Sequence, residues 1–253
     1  MKIFFSDYWA PVVAGGVLSV FSALLSPASA NMLVSPMTSS IDTKSKSASQ
    51  LRVYSKSDST QYVKVVVKRV VNPATEQEVE EDAPRSGAGG VTVSPSKFAL
   101  PAGGSRLVRV IALGSPAKEE LYRVHFEPVA APVDAASGST ESIDSNVDFG
   151  LVWAPLVRVL PSARLPDMMV SGGVLKNTGN MRLAVLEAGA CDSEKPEAKC
   201  DWQPIKRSVY PDQSLKLPHA AIGDVWQIKY RLDGVADVKQ NAVRSDVVEV
   251  PGA

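Results

Sequence analysis

The chain has 253 residues, with 27 Lys plus Arg against 27 Asp plus Glu, so its formal net charge is zero. A neutral chain has no general electrostatic pull toward phosphate backbones or anionic lipid, which argues against nucleic acid as a partner. The only histidines, His125 and His219, lie far in sequence from the only cysteines, Cys191 and Cys200, so no metal site and no cofactor is expected.

The N-terminus carries an export pattern. Lys2 opens it, an apolar run follows from Val12 to Leu25, and the small triplet Ala28-Ser29-Ala30 closes it. A basic start, an apolar segment of about 14 residues and an A-x-A site make a secretory signal peptide. The run is shorter than the roughly 20 residues a membrane-spanning helix needs. Residues 1–30 are read as a signal cleaved after Ala30, with no membrane insertion afterwards. The remainder is long enough for one large domain or two of about 110 residues each.

Beyond residue 30 the chain reads as strands and turns. Leu51 to Tyr54 alternates, and Gln61 to Val71 (QYVKVVVKRVV) sets Val63, Val65 and Val67 against Lys64 and Lys68. Ser105 to Leu113 and Leu121 to Val129 continue the pattern, with Tyr122, Val124 and Phe126 on one face. Period-two alternation in β-branched and aromatic residues predicts half-buried antiparallel strands. The acidic run Glu76 to Asp82 (EQEVEED) reads as a solvated loop, and Pro84 to Gly90 and Pro101 to Gly104 as turns. Residues 130–146 are rich in Ala, Ser and acids and poor in large apolar groups, so they predict a mobile loop.

The character then flips. Val147 to Leu160 (VDFGLVWAPLVRVL) is the most apolar stretch after the N-terminal segment, and Pro161 and Pro166 mark a boundary behind it. Strand patterns restart at Met168 to Lys176 and Met181 to Ala188. They continue through Trp202 to Tyr210, Ser214 to Leu217, Val225 to Leu232 and Val247 to Val250. Two blocks of short strands predict an all-β chain of two sandwiches, residues 31–160 and 161–253. In an oxidising compartment the nearby Cys191 and Cys200 are expected to pair.

Catalytic patterns do not turn up. The sequence has no G-x-S-x-G elbow, Walker loop, H-E-x-x-H or G-x-G-x-x-G after a strand, so no enzyme activity is expected. What stands out is the strand after the mobile loop, with Val147, Phe149 and Leu151 at alternating positions. It is either an ordinary core strand or an edge that pairs with another chain by β-augmentation.

The segments SQLRVYSKSDSTQYVKVVVKRVVNPATEQE, VTVSPSKFALPAGGSRLVRVIAL, EELYRVHFEPV, LVRVLP and LKNTGNMRL occur in the order seen in periplasmic chaperones of the chaperone–usher pathway. The chain resembles most the alternate, colonisation-factor-type branch that serves α-fimbriae, over roughly residues 32–210. The resemblance implies two immunoglobulin-like β-sandwich domains in an L or boomerang arrangement and a periplasmic location. It implies pilus subunits as partners, both major pilin and tip adhesin, together with an outer-membrane usher. It also implies donor-strand complementation, in which Val147, Phe149 and Leu151 fill a groove in the subunit, with Trp153 as a continuation. A second copy capping the same strand is a further occupant left open.

One feature departs from the better-known chaperones of the pathway, which anchor the subunit's C-terminal carboxylate with a first-strand Arg and a donor-strand Lys. Met32 to Ile41 has no basic residue, and the donor strand's only cation is Arg158. Arg158 is assigned to an ion pair between domains, with Glu119 or Glu120, in preference to a carboxylate anchor. An exported pilus subunit or adhesin and a generic immunoglobulin-like binding protein are the alternative readings.

Overall fold

The computed structural model describes residues 31–84, 90–131, 151–192, 199–218, 225–233 and 237–246, all of them strand, turn or irregular. The proposed signal segment, Val147, Phe149, His219 and the strand expected at Val247 to Val250 lie outside the described residues. Ten strands precede Pro161: β1 (Met32–Ser35), β2 (Thr38–Asp42), β3 (Ala48–Ser55), β4 (Gln61–Val71), β5 (Val79–Asp82), β6 (Val91–Ser94), β7 (Lys97–Leu100), β8 (Ser105–Ala112), β9 (Glu120–Val129) and β10 (Leu156–Leu160). Seven follow: β11 (Met168–Ser171), β12 (Val174–Asn177), β13 (Leu183–Cys191), β14 (Cys200–Val209), β15 (Ser214–Lys216), β16 (Val225–Arg231) and β17 (Lys239–Asp246). Among the described residues no helix is long and apolar enough to cross a membrane.

The first ten strands make two sheets, ordered β1-β3-β8-β6 and β2-β10-β9-β4-β5, with β7 also on β4. They close over one core in which Leu51, Val53, Val108, Val110, Val124, Phe126, Val157 and Val159 are fully buried. The alternation read from sequence places them: on β9 Tyr122, Val124 and Phe126 point inward while Arg123, His125 and Glu127 stay half-exposed. The leading segment divides between the two sheets. β1 pairs antiparallel with β3, and after Pro36 the chain crosses over so that β2 pairs parallel with β10.

The last seven strands follow one path, β14-β13-β16-β17-β11-β12-β15, curled so that both ends share a core. Val170 and Leu175 meet Leu183, Val185, Trp226, Ile228 and Tyr230 there. The protein is thus all-β, with two immunoglobulin-like sandwiches. The Cys191–Cys200 disulfide is formed and joins β13 to β14.

Two local expectations are corrected by the structure. The acidic run is not all loop, because Val79–Asp82 forms an edge strand on β4. Its side chains are all exposed, so apolar periodicity could not reveal it. Two ion pairs, Lys68 to Asp82 at 2.7 Å and Arg123 to Glu78 at 2.7 Å, and a hydrogen bond between His125 and Glu80 at 2.7 Å hold it. Met168 to Lys176 is a hairpin of β11 and β12 instead of one strand. Gly172 and Gly173 turn it at φ 55° and 73°, a left-handed pair that matches the twist of the flanking strands.

Candidate functional site

Two regions bear on function: the approach to β10 and the joint between the sandwiches. On β10 the core-facing residues are Val157 and Val159, and the same parity continues backward through buried Pro155 to Trp153, which packs against the first core. The next residue on that row, Leu151, has left the core and is 53% exposed, beside Val152 at 45%. The row that fills the sandwich therefore runs out past its end. Phe149 and Val147 continue it by count along the sequence only.

Among the described residues the backbone of this approach is bonded on one side only. Toward β9, Phe126 N–H donates to the Trp153 carbonyl at 2.8 Å and Val124 N–H to the Pro155 carbonyl at 3.0 Å. Toward β2, the last bond runs from Leu156 N–H to the Met37 carbonyl at 2.9 Å, because the chain before Met37 has crossed to the other sheet. Among the described residues no backbone bond reaches Ala154 on that side. An unpaired edge of this kind is a template for a strand from another chain.

At the joint, outward-facing residues of the first sandwich are covered by the second. Val70, Leu121 and Tyr210 form a small buried cluster, with Leu156 packed on it. Beside it lies a buried set of charges. Arg158 Nε sits 3.4 Å from Asp233 Oδ2 and 3.8 Å from Glu119 Oε1. Arg182 Nη2 donates to Asp233 at 2.6 Å, and Arg182 N–H donates to Glu119 Oε2 at 2.8 Å. Arg158 thus faces Glu119 and Asp233. Glu120 instead pairs with Arg69 at 3.2 Å and accepts a 2.6 Å bond from the Tyr122 hydroxyl. Sequence alone does not single out Arg182 or Asp233, since nothing local marks either as a partner of residues so distant in the chain.

The Glu119 side chain is 0% exposed. Burial pushes its carboxyl up to about 7, against the Arg182 amide bond, and the Asp233 charge adds to the rise. Burial works in the same direction on Asp233, but the bonds and charge of Arg182 outweigh it and hold that carboxyl below its usual range. Asp233 is thus the carboxylate that balances the guanidiniums, while the Glu119 carboxyl keeps its proton into the neutral range. The linker is tied to both sides: Asn180 Nδ2 donates to the Ala163 carbonyl at 2.7 Å and to the Ala117 carbonyl at 3.2 Å. Gly179 has no room for a side chain, since a Cβ would lie 2.3 Å from the Asp167 nitrogen.

Among the described residues no group of three or more His, Cys, Asp or Glu could hold a metal ion. The cleft at the joint, about 490 Å³, is lined by Val70, Pro73, Glu120, Tyr210 and Gln213 among others. Its cations, Arg69 and Lys118, are already paired with Glu120 and Asp212.

No protein-family model matches the chain. It is 35% identical over 194 residues to a CS1 fimbrial subunit of Escherichia coli, covering 74% of this chain and 80% of that one. Among solved structures, the class 5 fimbriae chaperone CfaA is 28% identical with a TM-score of 0.70, over 85% of this chain and 99% of that one. A chain of a chaperone–tip adhesin complex from CFA/I fimbriae biogenesis is 27% identical with a TM-score of 0.69, over the same 85% and 99%. With two sandwiches, the disulfide and this likeness along most of its length, the chain belongs to the class 5 fimbrial chaperones, the alternate branch of the chaperone–usher family.

Proposed function

We propose that this chaperone works in the periplasm, holds fimbrial subunits by lending them the strand that leads into β10, and hands them to an outer-membrane usher. The observation that carries the reading is the open edge beside Ala154, where the core-facing row emerges at exposed Leu151. Val147, Phe149 and Leu151 are the side chains offered to the subunit. Each is worth roughly 1.5–3 kcal/mol on full burial, to which ladder bonds add and from which ordering subtracts. The working form begins after Ala30, with one domain to residue 160 and the second from residue 161. A tip adhesin and a major pilin are the expected clients, in keeping with the complex formed by the similar chaperone. Arg158 serves the joint in this reading, because Glu119 and Asp233 already face it.

Co-expression with candidate subunits tests the proposal. Wild type should rescue them from periplasmic proteolysis, and Phe149→Asp combined with Leu151→Asp should not. Equal subunit levels with both proteins would sink the donor-strand reading. The CS1 relative bears a subunit's name, so the rival to test is a pilus subunit. Purified protein that polymerises by itself would favour that rival, whereas dimers limited to two copies would indicate capping of the open edge.

A further inference from the structure

The bonds between the β10 approach and β9 contain two built-in gaps. The register runs Val157↔Tyr122 and Leu156↔Arg123, then Trp153↔Phe126. In an antiparallel pair only alternate residues aim their backbone groups at the partner. Along β9 those residues are Tyr122, Val124 and Phe126, and the next in line is Pro128. Pro155, opposite Val124, has no N–H to return a bond, and Pro128, which the same count sets opposite Leu151, has none to offer. Between the two prolines, Trp153 and Phe126 exchange bonds in both directions, at 2.8 and 3.4 Å.

The Trp153 side chain strengthens that single pairing. Its indole packs against the first core, and its Nε1 is buried without a hydrogen-bond partner among the described residues. The ring is therefore held by shape and burial.

We propose that Trp153 is a positioning residue that pins the phase of the donor strand and stays in the chaperone's own core instead of entering the subunit. The inference rests on the donor-strand reading above. Its weight comes from strand geometry: a slip of one residue moves every side chain to the opposite face. With prolines on both sides, Trp153↔Phe126 is the one described pairing upstream of β10 that exchanges bonds in both directions. Pinned at Trp153, the row that faces the core continues as Leu151, Phe149 and Val147. Slipped by one residue, the strand would present Val152 and polar neighbours.

The test is one of parity. One serine inserted between Val152 and Trp153 moves the upstream residues onto the other face, while two inserted residues return them to the first. We expect subunit rescue to fall about tenfold or more with one insertion and to recover with two, because the slipped face has no apolar row to bury. Trp153→Phe keeps the ring and should rescue like wild type. Thermal unfolding and circular dichroism of each purified variant confirm that the sandwiches remain folded. Rescue by the single insertion, with the variant carrying both Phe149→Asp and Leu151→Asp inactive, would overturn the pin and leave the donor strand standing. Loss with both insertions would overturn phase as the cause. Activity in the variant with both aspartate substitutions would overturn the donor strand itself and the pin with it.

Discussion

Among the described residues each sandwich has an edge without a partner strand, and the two treat it in opposite ways. One of the two end strands of the second sandwich is β14, which carries three devices against pairing. Pro204 removes an N–H, Lys206 takes a left-handed conformation at φ 50°, and the ladder with β13 shifts register between Val185 and Glu187. Proline, a bulge and lysines are the usual means of keeping a sheet edge from recruiting another chain. On the face of the same sheet, the Lys229 ammonium lies 3.8 Å from the Trp202 ring and 2.8 Å from Glu187. In the first sandwich, the approach to β10 keeps one side open and carries exposed Leu151 and Val152. A chain that must pair with one kind of partner and no other needs both treatments at once.

Removing the disulfide should have the largest effect on this contrast. Cys191 and Cys200 close a short loop at the base of the β13–β14 hairpin, and the double Ser variant should lose about 2–3 kcal/mol in urea unfolding. The loss should appear in the second sandwich and leave the first unchanged; equal destabilisation of both would mean that they unfold as one unit.

The joint between the two sandwiches predicts a pH dependence. The folded chain holds the Glu119 proton up to about pH 7, whereas the unfolded chain releases it near 4.5. Stability should therefore fall as pH rises across that window, with a slope approaching one proton, worth up to about 1.4 kcal/mol per pH unit. Burial sets this proton together with Asp233, and Arg182 and Arg158 oppose it. Glu119→Gln should flatten the slope, and an unchanged profile would remove Glu119 as its source.

Changes at single prolines should be smaller and should act on one edge each. Pro128→Thr offers a new N–H toward residue 151, which should add about 1 kcal/mol to the first sandwich and leave the side of the strand that faces away from β9 untouched. Unchanged stability would show that no bond forms across that gap. Pro204→Val should shift stability by no more than about 0.5 kcal/mol, as an exposed substitution does. Its visible effect should be self-association in sedimentation, and a strictly monomeric variant would show that Lys206 and the bulge suffice.

The strands were legible in the sequence wherever one face is buried, because β3, β4, β8 and β9 alternate with the pleat. β5 was not, since its four exposed side chains carry no apolar signal and its place depends on Arg123 and His125 two strands away. The exposed, unpaired character of the β10 approach could be suspected from its apolar residues after a polar stretch. The role proposed for Trp153 could not, because alternation counts side chains whereas the proposed pinning depends on which backbone groups pair. The joint was half legible: Arg158 and Glu119 are near the ends of adjacent strands, but Arg182 and Asp233 enter only through the folding of the second sandwich.

The crossing at Pro36 also sets a length. β2 covers β10 only as far back as Met37 reaches, so the uncovered edge begins where the leading segment changes sheets. Each pair of residues by which that crossing shifts would lengthen or shorten the edge by about 6.8 Å. If the strand is lent as proposed, the position of one proline in the leading segment would work as a ruler for how much of a client's backbone the chaperone can cover.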